Sequence, residues 1–422
     1  MLIQNGRDLL QHYANTQKTP SIKEVGTGLW HVQNVGHSNA IIIEGEKGVI
    51  LIDAMETFER GQALRTIITE KTGKQVHTII FTHSHPDHRW GAGAFADCVS
   101  EIIDFAPKTA PLARSRELMD IQMLRGARQF GYMLTDEETI TQGLGPREGA
   151  VYGEKHAPLT ATTTYNEDHV ERVIDGVHLQ LVRLVGETDD QIAIWLPDQM
   201  VLCSGDNYYA CFPNLYAIRG SQYRDIAAWI DSLDALIAFD AEVLLPGHTA
   251  PLIGADTVRE TLSNYRNAID YILSETLRGM NAGKTIDELA STIHLPEHLA
   301  SLPYLGEHYG CTEWTVRAIY VAYLGWFDGN PTRLHPLPPS IHAEKTVALM
   351  GGIDAVCAAA QKAYKDADYQ WCLELCDLLA NCGDSVRANA LKADAMTRLA
   401  DFETSGNGRH YYLACAHALR GE

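Results

Sequence analysis

Residues 77–90 read HTIIFTHSHPDHRW. A β-branched, apolar run ends abruptly, and His83, His85, Asp87 and His88 crowd into the next positions. A buried strand has no use for three histidines and an aspartate at its tip, so the chain must place this cluster at the edge of a sheet, where loops carry function. Imidazole and carboxylate are zinc-type ligands. His83 and His85, at alternate positions of an extended segment, can turn the same way. Asp87 and His88 then face a second ion as the chain turns into a helix, with Pro86 stiffening the turn. The pattern H-x-H-x-D-H therefore predicts a two-metal site, whose ions sit about 3.5–4 Å apart and clamp both attacking and leaving oxygens. The bland alternative is a solvated His-rich loop or a single-metal cluster.

Two ions need more donors than four. Glu187 in RLVGETDDQIAIW, Asp206 in MVLCSGDNYY and His248 in VLLPGHTAP each follow an apolar, strand-like run. Singly each is weak: Asp189 and Asp190 rival Glu187 in an acidic turn, Asp206 fits a turn aspartate, and His248 fits a satisfied loop histidine. As an ordered set they supply the missing donors.

The remaining sequence bounds the setting. The 422 residues imply two domains, and a net charge of −20 without a Lys/Arg run argues against nucleic acid and anionic membrane as partners. No stretch reaches membrane-spanning length, and the opening MLIQNGRDLLQHYANTQ lacks the apolar segment of a secretory signal. The nine cysteines form no CxxC pairs, and five of them (Cys357, Cys372, Cys376, Cys382 and Cys415) fall in one helical region. Reduced thiols in a cytoplasmic protein are expected. Strand patterns fill the first half, with GLWHVQ, SNAIIIEG, GVILIDA and HTIIF as strands and 56–71 as a helix. HVERVIDGVHLQLVRL predicts a hairpin at Asp175-Gly176, and QIAIWLPDQMVLCSGDN a second at Pro197-Asp198. Residues 110–160 read as a loop-rich insertion, and 224–239 as a helix. From about residue 256 the pattern is helical, and paired helices follow the proline-rich NPTRLHPLPPS. The expected division is a catalytic domain over 1–255 and a helical domain over 256–422.

THSHPDH, SGDNYYACFPNLYAIRG, GYML with QGLGP, YLGWFDGNPTRLHPLPP and LMGGIDAV together resemble the metallo-β-lactamase superfamily, and within it the alkylsulfatase (type III sulfatase) family. The resemblance runs from about residue 25 to the C-terminus. It implies an α/β fold: a metallo-β-lactamase αββα sandwich followed by an all-α helical dimerisation domain, hence a homodimer. It implies two zinc ions per chain, with His83, His85 and Glu187 on one, Asp87, His88 and His248 on the other, and Asp206 bridging where relatives often use Glu. A carboxylate where most of the superfamily has histidine hardens the first site, which suits Mn or Fe as well as zinc. Full-length members also carry a C-terminal sterol-carrier-like domain with no counterpart in these 422 residues, from which a shorter, more polar or aryl ester is expected.

Metal-activated water alone suits lactams, lactones, phosphodiesters and sulfate esters, so anion-binding residues must discriminate. NLYAIRGSQYRD supplies Asn214, Arg219 and Arg224, and a guanidinium fork suits a tetrahedral oxyanion. The resemblance makes Arg219 the sulfate-binding arginine, sets Arg224 near the leaving oxygen, and brings Tyr309 of HYGCTEW to the sulfate, in cis or across a dimer. Asp87 and Arg224 are thus the expected catalytic residues, with Asn214, Arg219, Tyr309 and Tyr132 of GYML binding a small sulfate ester. The expected reaction is hydrolysis of a sulfate monoester to alcohol and sulfate. The competing readings are a lactonase, phosphodiesterase or β-lactamase-like hydrolase on the same scaffold, and a non-enzymatic dimeric scaffold.

Overall fold

The structure is a computed structural model, and it describes residues 6–422. The first five residues of the opening stretch lie outside it. Two sheets face each other. The first runs in order through β1 (Ser21–Gly26), β2 (Leu29–Gln33), β3 (Ala40–Glu44), β4 (Val49–Ile52), β5 (Val76–Ile80), β6 (Glu101–Phe105) and β7 (Thr163–Tyr165). The second comprises β8 (His169–Ile174), β9 (Val177–Arg183), β10 (Ile192–Leu196), β11 (Val201–Gly205), β12 (Val243–Pro246) and β13 (Leu252–Ile253), with β13 at one edge and β8 at the other. Strands β1 to β4 are antiparallel and β4 to β7 parallel; β8 to β11 are antiparallel, with β11 and β12 parallel.

The central strands are apolar on both faces because both faces are covered. Ile41, Ile43, Ile50 and Ile52 point into the sandwich and meet Leu179, Leu181, Ile192 and Ile194 of the other sheet. Ile42, Val49 and Leu51 point outward to Leu64 and Ile68 of a flanking helix. The outer face of the second sheet packs Leu202 and Leu244 against Trp229, Leu233, Tyr265 and Ile269. This is the αββα arrangement that the resemblance implies. Asp175 (φ 46°) and Gly176 (φ 82°) form the predicted hairpin turn, and Asp175 Oδ2 accepts from the Lys47 and Gly48 amides at 2.9 and 2.7 Å, joining the two sheets.

Helices α1 (Gly6–Asn15), α2 (Phe58–Thr72), α3 (Pro86–Arg89), α4 (Met119–Gln129), α5 (Asp136–Thr139) and α6 (Ile226–Ala238) belong to this half. Region 110–160 is less irregular than its sequence suggests, because α4 spans eleven residues of it. Its apolar side chains face outward, with Met119 58% and Met123 68% exposed, so no inward stripe marks it. The C-terminal half is helical: α7 (Ala255–Asn281), α8 (Ile286–Thr292), α9 (Glu297–Ala300), α10 (Thr312–Leu324), α11 (Pro339–Leu349), α12 (Ile353–Lys365), α13 (Tyr369–Asn381), α14 (Ser385–Ala400) and α15 (Gly406–Arg420). Helices α7, α8 and α10 share a core with α6 and the second sheet. Helices α11 to α14 have a core of their own. Among the described residues, no helix is long and apolar enough to cross a membrane.

Glu403, between α14 and α15, gives a pH-dependent term. Burial first, then the charges of Glu307 and Glu313, push its carboxyl from 4.5 up to about 7. The folded chain therefore holds a proton across a window in which the unfolded chain has released it, and stability falls as pH rises from about 4.5 to 7. Glu403→Gln should stabilise the protein at pH 8 by about 2 kcal/mol and narrow the melting-temperature difference between pH 5 and pH 8. An unchanged difference between those two pH values would remove this assignment.

Candidate metal centre

The donors converge where parallel strands end. Strand β5 delivers His83 and His85; α3, begun by Pro86, turns Asp87 and His88 back toward them. The β9–β10 loop brings Glu187, Asp206 directly follows β11, and His248 lies two residues past the end of β12. All seven sequence-predicted ligands meet. His83 Nε2 lies 3.0 Å from His85 Nδ1, and His85 Nδ1 lies 3.3 Å from Glu187 Oε2. Asp87 Oδ2 lies 3.3 Å from both His88 Nε2 and His248 Nε2. Asp206 Oδ2 stands between the groups, at 3.7 Å from His83, 3.4 Å from His88 and 3.3 Å from His248. The backbone passes close to it: Gly205 takes φ 52°, and a Cβ on Gly247 would collide with Asp206 Oδ1.

These residues fit metal ions. Two ring nitrogens 3.0 Å apart repel unless a proton or a cation lies between them. The outer nitrogens are already committed. His88 Nδ1 contacts Asp53 Oδ2 at 2.7 Å, and His248 Nδ1 contacts the His37 carbonyl at 3.0 Å. Thr82 Oγ1 donates to Asp53 at 2.8 Å, leaving its lone pairs for His83 Nδ1–H at 3.0 Å. Each inner Nε2 is thereby free to bind a cation. His88 Nε2 and Asp206 Oδ1 are buried without a hydrogen-bond partner. Without a cation, the charges strain against burial. Burial alone would raise Asp87 and lower His88, yet His88 and His248 hold Asp87 well below the usual carboxylate range, and Asp206 with Asp87 lifts His88 well above 6.5.

Sequence reasoning missed two residues here. Asp53 ends β4 with φ 59° and gathers Thr82 and His88. Its only cue was an aspartate closing an apolar strand. His37, in the β2–β3 loop, joins Asp87 and His248 in a third candidate group, and nothing in its sequence setting marked it. Asp53→Asn should weaken metal affinity about 10- to 100-fold, read by competition with a chelator. Unaltered affinity would show that Asp53 does not orient His88.

The substrate candidates divide. Arg219 makes no ion pair among the described residues; its backbone N–H donates to Gln129 Oε1 at 2.7 Å, and its Nε is buried without a partner. Burial first, then the charge of Arg224 and more weakly that of Arg219, holds His85 down to about 3. Arg224 is instead committed: it is buried, 2.9 Å from Glu187 Oε1, and donates to the Asn214 carbonyl. Both contacts are made by Nη1, and its Nε, like that of Arg219, is buried without a partner. Asn214 is buried with Oδ1 unpartnered, and its N–H donates to Tyr209 Oη, which donates in turn to Glu187, both at 2.8 Å. Tyr309 is buried within its own chain, edge-on to Tyr209 with ring centres 6.0 Å apart. Tyr132 is 39% exposed and donates its hydroxyl to Glu148.

Comparison with known proteins identifies the arrangement. Residues 34–248 match the metallo-β-lactamase superfamily and residues 285–422 the alkyl sulfatase dimerisation family. A linear primary-alkylsulfatase of Pseudomonas sp. is 36% identical over 395 residues, covering 90% of this chain and 74% of the relative. The chain belongs to the alkylsulfatase family. Sulfate-ester hydrolysis on a metallo-β-lactamase fold is the activity of this family, and the chain is an enzyme of that class. An alkyl/aryl-sulfatase of Saccharomyces cerevisiae is 32% identical over 94% of this chain and 63% of its own length. The solved structure of the stereoselective inverting sec-alkylsulfatase Pisa1 from Pseudomonas sp. superposes with a TM-score of 0.89 at 29% identity, over 98% of this chain and 67% of that one. Membership of the superfamily implies metal ions, and the three His/carboxylate groups are where this alkylsulfatase-family chain can hold them.

Proposed function

We propose that the chain hydrolyses small alkyl or aryl sulfate monoesters to alcohol and sulfate, using two zinc ions. The observation that carries this reading is Arg219, whose Nε is buried without a partner and whose charge acts on His85 of a buried seven-donor centre. His83, His85 and Glu187 would hold one ion, Asp87, His88 and His248 the other, and Asp206 would bridge. Bound there, the pair supplies Lewis-acid polarisation and an activated water. Arg219 and Asn214 hold the sulfate oxygens, Tyr309 closes one side, and Tyr132, backed by Glu148, lies at the mouth. Arg224 fixes Glu187 and the Asn214 backbone, so we assign it a positioning role. Asp87 would hold the second ion together with His88 and His248. For the chain's organisation we propose a catalytic unit over 1–255 and a helical unit over 256–422, the latter forming a homodimer.

The test is substrate ranking. With metal-loaded protein, kcat/KM for alkyl sulfates should exceed that for lactones and phosphodiesters by at least about a hundredfold, because a site built for one anion discriminates strongly against a substrate that leaves its donors unpaired. A preference for phosphodiesters or lactones would overturn the assignment.

A further inference from the structure

Helix α15 carries none of the metal donors and lies within the stretch matched to a dimerisation family. Its first turn is nevertheless built of buried polar side chains: Ser405, Asn407, Arg409 and His410. A helix that served only to pair two subunits would gain nothing from burying them, since a polar group out of water must find a partner. Several of their partners belong to the segments that carry Tyr309 and Gln129. Ser405 Oγ and Asn407 Nδ2 donate to the Tyr309 carbonyl at 2.9 and 3.2 Å, and the Gly406 amide donates to the His308 carbonyl at 2.9 Å. The His410 ring spans the Gln129 and Thr139 carbonyls, each at 2.9 Å. Gly131, at φ 67°, lets the chain pass that ring, because a Cβ there would lie 3.0 Å from it. Arg409 Nε donates to the Glu138 carbonyl at 2.8 Å. The segment so gripped ends α4 with Gln129, itself fully buried, whose side chain accepts the Arg219 amide at 2.7 Å.

We infer that the first turn of α15 is a positioning element of the active site: it fixes Tyr309 directly and Arg219 through Gln129. The inference rests on the reading of Arg219 as the sulfate-binding residue. On this account the helical C-terminal half completes the anion pocket of its own chain, and Gln129 and His410 set how well the guanidinium meets the sulfate.

The experiment uses the metal-loaded full chain, with inorganic sulfate as the probe. Gln129→Met keeps the volume of the side chain and removes the acceptor for Arg219. It should raise the sulfate Kd in titration calorimetry and the KM for an alkyl sulfate by about ten- to a hundredfold, as expected when a binding group is displaced without being removed. Metal content should be unchanged, and kcat should fall much less than KM rises. His410→Gln, which can keep one of the two carbonyl contacts, should give a smaller shift of the same kind and carries the test if Gln129→Met fails to fold. A purely structural role would lower the melting temperature or the active fraction and leave the sulfate Kd and KM as they were; that result overturns the inference. Arg219→Lys separates the two readings. Weaker sulfate binding in Arg219→Lys with none in the Gln129 and His410 variants rejects the positioning role alone. Unchanged sulfate binding in Arg219→Lys rejects the sulfate-site reading itself.

Discussion

Asp206→Asn should reduce kcat/KM for a sulfate ester by about a thousandfold, corresponding to about 4 kcal/mol of lost transition-state stabilisation. No other carboxylate in the centre stands within 4 Å of three ligand imidazoles. An amide keeps the shape and the burial but loses the charge. It also turns an N–H donor, or a weaker carbonyl acceptor, toward nitrogens whose lone pairs a metal would need, since Thr82, Asp53 and the His37 carbonyl engage the outer ring nitrogens. The variant should therefore bind less metal as well as turn over slowly. Metal analysis after gel filtration, together with the rate, checks both. Full metal content at near-normal rate would show that the carboxylate does not link the two groups of donors. Because metal must displace protons held by His88 and His248, whose pKa values are raised, metal affinity should fall with decreasing pH.

Arg219→Ala has the second largest expected effect. Its guanidinium has no acidic partner among the described residues, whereas most arginines in the catalytic half are paired. A charge held beside a buried pocket without a counter-ion is stabilised when an anion arrives, and a planar fork can donate twice to one sulfate. Removing one such donor from a developing anion costs roughly 10²- to 10³-fold. Arg219→Lys keeps the charge and loses the fork, so it should recover about tenfold of that loss. Metal content should stay normal in both. The check is a steady-state comparison of the three proteins on one alkyl sulfate. A loss confined to kcat, with KM and sulfate inhibition unaffected, would contradict a role in holding the sulfate.

The ligand cluster was legible because density itself is informative: four donors in six positions after an apolar strand have few structural uses. Glu187, Asp206 and His248 were legible only as a set, since each sits at a strand end that many proteins decorate with a polar residue. Asp53 sits at such an end too, yet it escaped notice because its work is to orient His88, a relation visible only when the two strands pair. Strands buried on both faces read correctly as apolar runs. Helix α4 did not read as a helix, because its apolar residues face outward and only Gln129 is buried. The grip of α15 was beyond reach for another reason: His410 and Gln129 are 281 positions apart, and SGNGRH carries no local pattern that announces so distant a contact. Arg224 shows the opposite limit. The resemblance sets it near a leaving oxygen, and its ion pair with Glu187 has no cue in the sequence, because an ion pair depends on side-chain reach rather than on spacing.

The account stands most directly on a titration of metal against sulfate release. Chelator-stripped protein is given zinc in steps, and sulfate freed from an alkyl sulfate is measured alongside bound metal. The account predicts no release from the stripped protein and full activity restored at two zinc ions per chain, with Arg219→Ala loading normally and releasing little. Release that persists without metal, or that saturates at one ion per chain, would contradict a two-metal sulfate-ester hydrolase.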